Sequence, residues 1–159
     1  MLTKQIIRSV LLVVALGCVA IWANRAYHQS QPLASEPSPV SLLPEVAGHQ
    51  VVVTYFISGA RCESCQKIEA LCRETVAQDF AAESASHHVV FRVIDTGDPA
   101  NAHYISDYQL TSKIVILSHR VASKETEWMA MEKVWDLLED PAAFHAYLAS
   151  PIRKYLTPP

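Results

Sequence analysis

Of the four cysteines in the sequence, two stand three residues apart, in Cys62-Glu63-Ser64-Cys65. Three residues along a helix is close to one turn, which brings two Cα atoms to roughly 5 Å. That separation lies inside the range a disulfide accepts. Such a pair can open and close: a thiolate attacks a partner disulfide, a mixed disulfide forms, and the second thiol resolves it. At a helix head the first thiol meets free backbone N–H groups and the positive end of the helix dipole, both of which favour a thiolate. Cys62 is therefore the expected nucleophile. Cys65, one turn in and more shielded, is the expected resolver. Arg61 adds a positive charge beside Cys62, and Glu63 acts against it. The redox-active disulfide is itself the reacting group, so no further cofactor is expected. Two rival readings are a permanently closed structural disulfide and half of a metal site. The second lacks the additional Cys-x-x-Cys or His-x-x-His that zinc would want.

The flanking sequence supplies elements that could hold this pair. Val51-Val52-Val53-Thr54-Tyr55-Phe56-Ile57 is short, β-branched and aromatic, the pattern of a buried strand. Ser58-Gly59-Ala60-Arg61 reads as a turn. Ile68, Leu71, Cys72, Val76 and Phe80 then follow helical spacing, which predicts a helix to about Ala82. A second strand, with Val89-Val90-Phe91-Arg92-Val93-Ile94, is expected within His88–Asp95. Asp98-Pro99, a capping residue followed by proline at the first helical position, starts a helix to about Gln109. Ile114-Val115-Ile116-Leu117 lies in a third strand over Lys113–Ser118, and a weaker strand spans Thr126–Met129. A helix over Ala130–Glu139 is expected to restart at Asp140-Pro141 and run past Tyr147. The order β-α-β-α-β-β-α describes an α/β domain, a central mixed sheet with helices on both faces.

Other residues that could do chemistry have plainer roles. Cys72 lies two turns beyond Cys65, about 10 Å along the helix, too far for a disulfide with it. It is expected as a small hydrophobe in the core stripe. The seven histidines are scattered, with no metal-ligand spacing, so no metal-binding residues are expected. Trp128 and Trp135, with Tyr55, Phe56, Phe91 and Phe144, are expected in the core.

The ends of the chain bear on where the pair works. Lys4 and Arg8 precede an apolar segment from Ser9 to Ala23, closed by Asn24-Arg25. With Ile6 and Ile7 included and Arg8 snorkelling, the segment approaches the lower limit of about 17 residues for a bilayer span. The basic residues before it hold the N-terminus in the cytoplasm. Residues 1–28 are thus expected as an uncleaved signal anchor, with a cleaved signal peptide, a lipoprotein acylated at Cys18 and a buried soluble helix as rivals. Residues 29–44, with Pro32, Pro37, Pro39 and Pro44, read as a semi-extended spacer. The folded unit is expected over 45–159. Of the thirteen basic residues, Lys4, Arg8 and Arg25 precede residue 29, which leaves ten against sixteen acidic ones, a net of −6. An acidic body without a basic patch excludes nucleic acid as a partner. Together these features place the domain on the periplasmic side of the inner (cytoplasmic) membrane, on a single-pass tether.

A strand ending in Cys-x-x-Cys at the head of a helix, within this element order, resembles the thioredoxin fold. More specifically, Tyr55-Phe56, Arg61-Cys62-x-x-Cys65-x-x-Ile68-Glu69, Asn101-x-His103-Tyr104, Asp107-Tyr108-Gln109-Leu110 and Val134-Trp135-Asp136-Leu137 with Phe144 and Tyr147 resemble the ArsF family, small thioredoxin-like subunits of nitrophenyl-compound reductase systems. The resemblance spans roughly residues 51–148. It implies reduction of nitroaryl arsenicals alongside an efflux permease and a further subunit. Two departures from ordinary thioredoxins stand out. Ser112-Lys113-Ile114 lacks the cis-proline that thioredoxins carry before the third strand, so a trans residue is expected to present its own N–H and side chain to the thiols. The buried acid below the cysteines, placed near Phe56, is replaced by an apolar residue, leaving water or Glu69 to take the Cys65 proton. The reading is a membrane-tethered thiol–disulfide oxidoreductase, or electron relay, that uses Cys62 and Cys65. A membrane thiol-electron conduit or permease would feed it, and a partner reductase or client disulfide protein would drain it. A soft-metal or arsenite-binding module using Cys62 and Cys65 with a third ligand such as Cys72 or a histidine, and a docking scaffold without catalysis, are the alternatives.

Overall fold

A computed structural model describes residues 43–157; the anchor expected over 1–28 and all but the end of the spacer lie outside the described residues. Among the described residues, no helix is long and apolar enough to cross a membrane. The sheet has four strands in the order β2-β1-β3-β4. β1 spans His49–Ile57, β2 Val89–Asp95, β3 Ile114–Val121 and β4 Lys124–Ala130. β1 pairs parallel with β2 and antiparallel with β3, and β3 pairs antiparallel with β4. The parallel pair needs a crossover, which α1 (Glu63–Asp79) and α2 (Ala81–Ala85) supply. Every residue of β1 from Gln50 to Ile57 is buried, as befits a strand covered on both faces. The expected mixed sheet with helices on both faces is present.

Period-two alternation divides β1 between two cores. Val51, Val53, Tyr55 and Ile57 pack with Ile68, Leu71, Cys72 and Val76 of α1, and with Phe144, Leu148 and Ile152 of α4 (Pro141–Leu156). On the opposite face Phe56, Ile94 and Ile116 pack against Tyr104 and Tyr108, at and just beyond the short α3 (His103–Asp107). The sheet thus carries a large core under the Cys-x-x-Cys helix and a small aromatic one behind it.

Several elements differ from expectation. The first helix breaks at buried Phe80, which caps α1 through its N–H to Val76 and opens α2. Asp98 does cap, accepting from the Ala100 N–H, but the chain continues as a 3₁₀ turn over Pro99–Asn101 and then α3, not as one unbroken helix. β3 runs on through His119, Arg120 and Val121 and returns as β4 across Ala122-Ser123. Both of those residues have positive φ, 49° and 66°, the signature of a type I′ hairpin turn.

The helix expected over Ala130–Glu139 is absent. β4 extends to Ala130, the Met131 N–H joins the sheet through the Val115 carbonyl at 2.8 Å, and only a 3₁₀ turn over Glu132–Val134 comes after it. Met131, Val134, Trp135, Leu137 and Leu138 are spaced as on a helix face, yet they line the path from the sheet to α4 and fill the large core from there. Asp140 restarts the chain as expected, its side chain accepting from the Ala143 N–H at 3.0 Å.

Candidate redox site

The site stands where β1 ends. The Thr96 N–H and hydroxyl both donate to the Ile57 carbonyl, at 2.8 and 3.0 Å, and pin the strand's last residue. The chain then turns through Gly59, whose φ of +63° suits glycine, and enters α1 with Cys62 as its N-cap. Cys62 and Cys65 are joined in a disulfide with 5.1 Å between their Cα atoms, the separation that their spacing implied. Cys62 Sγ also accepts from the Cys65 N–H at 3.3 Å, so the sulfur itself caps the helix. Cys62 is exposed and Cys65 is fully buried. The helix terminus therefore offers an N–H and its positive end to the sulfur a client can reach.

Lys113, immediately before β3, lies over this pair. Its ammonium donates to the Ala60 carbonyl at 2.5 Å and lies 3.6 Å from Cys65 Sγ. A side chain from the expected stretch Ser112-Lys113-Ile114 thus does reach the cysteine pair, at Cys65, and no cis peptide bond occurs among the described residues. Trp135 holds Lys113 from the far side, its indole N–H donating to the Lys113 carbonyl at 3.0 Å. Sequence reasoning placed Trp135 simply in the core. Its half-buried position in the loop before α4 gives it a second task that no local pattern announces.

Two expectations about charge change. Arg61 does not stand free beside Cys62. Its guanidinium is paired with Glu69, which also accepts from Arg73 at 2.8 Å. Glu69 is consequently engaged by two cations, and that arrangement does not offer its carboxylate to the Cys65 proton.

The residue of β1 beneath the cysteines is not the expected Phe56. Phe56 faces the small aromatic core, away from α1; Tyr55 is the residue of β1 beneath the cysteine helix. A one-residue change of register reverses the face of a strand residue. The Tyr55 hydroxyl is buried and has no hydrogen-bond partner among the described residues. Burial first, then the neighbouring Cys72, push its pKa up to about 12, with Arg61 pulling the other way. At neutral pH it is a polar but uncharged group beneath the cysteine helix.

Cys72 is free and buried, facing the large core as expected. Burial pushes its thiol up to about 12, so it is protonated at neutral pH and a poor third ligand for a soft metal. Of the other residues singled out, Trp128 is not in the core. It is 37% exposed on edge strand β4, its ring edge-on to Tyr108 at 5.4 Å. His49 and His119 hydrogen-bond ring to ring at 2.9 Å, at the start of β1 and the opposite end of the sheet from Cys62.

A central parallel–antiparallel sheet, the Cys-x-x-Cys at the head of the helix that follows the central strand, and a closing helix beside that first one define a thioredoxin-like fold. No protein-family model matches the sequence, and no curated protein matches it. Among solved structures the chain is similar to thioredoxin from Fasciola hepatica, with 18% identity over 69% of this chain and 83% of that one and a TM-score of 0.42. It is also similar to thioredoxin from Trypanosoma brucei brucei, at 18% identity, 65% and 76% coverage and a TM-score of 0.39. A thioredoxin from Thermus thermophilus shares 14% identity over 64% and 80%, with a TM-score of 0.32. The assignment of the fold rests on the connectivity and the position of the cysteines, not on these scores.

Proposed function

We propose that this protein is a thiol–disulfide oxidoreductase in which Cys62 exchanges with client sulfur and Cys65 closes or reopens the internal disulfide. One observation carries the reading: of the two cysteines in a single disulfide one is exposed and the other fully buried, and the sulfur of the exposed one caps a helix. Incoming thiolate can reach only Cys62, and the thiolate formed there is stabilised by the helix head. A structural disulfide needs neither property.

In this reading the protein works as an electron relay on a membrane tether, on the periplasmic side, with residues 1–28 as the anchor and 29–44 as the spacer. A membrane thiol conduit or permease supplies electrons, and a partner reductase or client disulfide protein takes them. The motifs that resemble the ArsF family support a place as a subunit of a nitrophenyl-compound reductase system. Reducing a nitro group to an amine consumes several times the two electrons one dithiol holds, so this protein would pass electrons to the subunit that performs that chemistry. The protonated, inward-facing Cys72 speaks against the version of the arsenite or soft-metal module that takes it as third ligand.

The test is equilibration of the purified protein with dithiothreitol and a mild oxidant, followed by alkylation of free thiols and mass measurement. With the labels located by peptide mass, the expected result is full, reversible conversion between a form alkylated at both Cys62 and Cys65 and a form alkylated at neither, with Cys18 and Cys72 counted apart. A pair that stays closed at every ratio of reductant to oxidant contradicts the proposal.

A further inference from the structure

Burial alone suppresses a thiolate on this helix. Cys72 is as fully buried as Cys65, and its thiol is pushed up to about 12. Cys65 differs from it in one respect that matters for charge: the Lys113 ammonium lies 3.6 Å from its sulfur. That ammonium is held in place at both ends, by the Ala60 carbonyl at its tip and by Trp135 on its backbone. The neighbouring charges have other partners. Arg61 and Arg73 pair with Glu69, and Lys67 pairs with Glu139 at 2.9 Å. Glu63, in the first turn of the helix, is the one acidic residue there. The helix terminus, for its part, is spent on Cys62, which takes the Cys65 N–H.

We propose that Lys113 is a catalytic residue of the exchange reaction: its ammonium carries the negative charge of the Cys65 thiolate and thereby fixes Cys62 as the sulfur that is attacked. The inference deepens the oxidoreductase reading and rests on it.

In the reductive direction a donor thiolate attacks Cys62 Sγ, forming a donor–Cys62 disulfide. The Cys62–Cys65 bond breaks, and its electron pair stays on Cys65 Sγ, beside the ammonium. The donor's second thiolate then displaces Cys62 as a thiolate, so that the donor dithiol becomes a disulfide and the protein gains two electrons. In the oxidative direction the same Cys65 thiolate attacks Cys62 Sγ of a client mixed disulfide, and the client leaves as a thiolate. Attack at Cys65 instead would place the leaving charge on Cys62, and burial of Cys65 blocks that approach. Disulfide cleavage is faster when the leaving thiol has the lower pKa, so a cation beside Cys65 speeds cleavage in the direction that burial already selects. Lys113 acts by charge, not by proton transfer.

The experiment titrates the Cys65 thiol by the ultraviolet absorbance of its thiolate, in the full chain with Cys18→Ala, Cys62→Ser and Cys72→Ala, so that Cys65 is the one cysteine left. It compares Lys113, Lys113→Arg, Lys113→Met and Lys113→Gln. Removing a cation within 4 Å is expected to raise the Cys65 midpoint by roughly 1–3 pH units in both neutral variants, and Arg is expected to keep it near the parent value. Glutamine retains a donor for the Ala60 carbonyl, so a shift shared by Met and Gln is due to the lost charge. A midpoint unchanged in Met and Gln, or raised as far by Arg as by them, overturns the proposal. The titration reads a thiol that is already reduced. A pair that cycles normally with an unmoved Cys65 midpoint removes the role of Lys113 alone, whereas a pair that never cycles removes the oxidoreductase reading.

Discussion

The indole N–H of Trp135 donates to the carbonyl of Lys113 at 3.0 Å, joining the loop before the last helix to the residue beside the disulfide. Trp135→Phe keeps most of the ring and deletes that donor. Leaving a half-buried carbonyl without its partner is expected to cost about 1 kcal/mol, read as a lower urea midpoint. Because Lys113 loses its backbone restraint, the Cys65 titration should move in the direction of the Lys113→Met variant, by less. A stability loss with no movement of Cys65 would make Trp135 a packing residue only.

Cys72 is expected to be dispensable for the chemistry. Cys72→Ala removes one buried sulfur from the large core, at about 1 kcal/mol as for other small truncations of a packed interior. Redox cycling of Cys62 and Cys65 should be unchanged in rate and end point. Loss of cycling in a variant that remains folded would show that the third thiol takes part.

Alkali should weaken the fold through Tyr55 and Cys72. Their ordinary values of 10.0 and 9.0 are both pushed up to about 12, chiefly by burial. The unfolded chain therefore releases these protons first. Their contribution is fully present below pH 9 and is lost as pH rises toward 12. Urea midpoints measured across that window are expected to fall, and to fall less steeply in a Tyr55→Phe, Cys72→Ala double variant. Tyr108 and Tyr155 are also raised by burial, so part of the slope should survive. At neutral pH Tyr55→Phe should cost little, because it deletes a hydroxyl with no partner among the described residues.

The hairpin turn is open to improvement. Ala122 and Ser123 both hold positive φ, which costs residues bearing a Cβ about 1 kcal/mol or more each, whereas Asn-Gly suits this turn. Replacing the pair by Ala122→Asn and Ser123→Gly should raise stability by about 1 kcal/mol without changing the thiol chemistry. An unchanged or lowered urea midpoint would mean that the turn is not under strain.

The turn also shows what the sequence hides. The strand before it was legible only as far as Ser118, because His119 and Arg120 break the apolar run and Ala-Ser carries none of the usual hairpin chemistry. The cysteine pair, the buried central strand and the Asp98 and Asp140 caps were legible because each is a local pattern: a spacing, a run, a capping residue before proline. Met131 to Leu138 repeats at helical spacing but is held in another path by a sheet bond to Val115 and by the core it fills. Which of Tyr55 and Phe56 faces the cysteine helix depends on register by one residue, and the length of the turn before Cys62 conceals it. Lys113 could be placed near the thiols from its position before the third strand. Its distance to Cys65 and its bond with Trp135 join residues 48 and 22 positions apart, and no window of sequence contains them.

The division of labour between the two sulfurs is tested most directly by trapping. Cys62→Ser and Cys65→Ser variants, each with Cys18→Ala and Cys72→Ala, are reduced and then exposed to an aromatic disulfide that releases a coloured thiolate. The adduct is then located by peptide mass. The expected result is a stable mixed disulfide at Cys62 in the Cys65→Ser protein, formed rapidly, and slow or absent reaction at Cys65 in the Cys62→Ser protein. Equal reaction at both positions, or reaction at Cys65 alone, would contradict the assignment of Cys62 as the exchanging thiol.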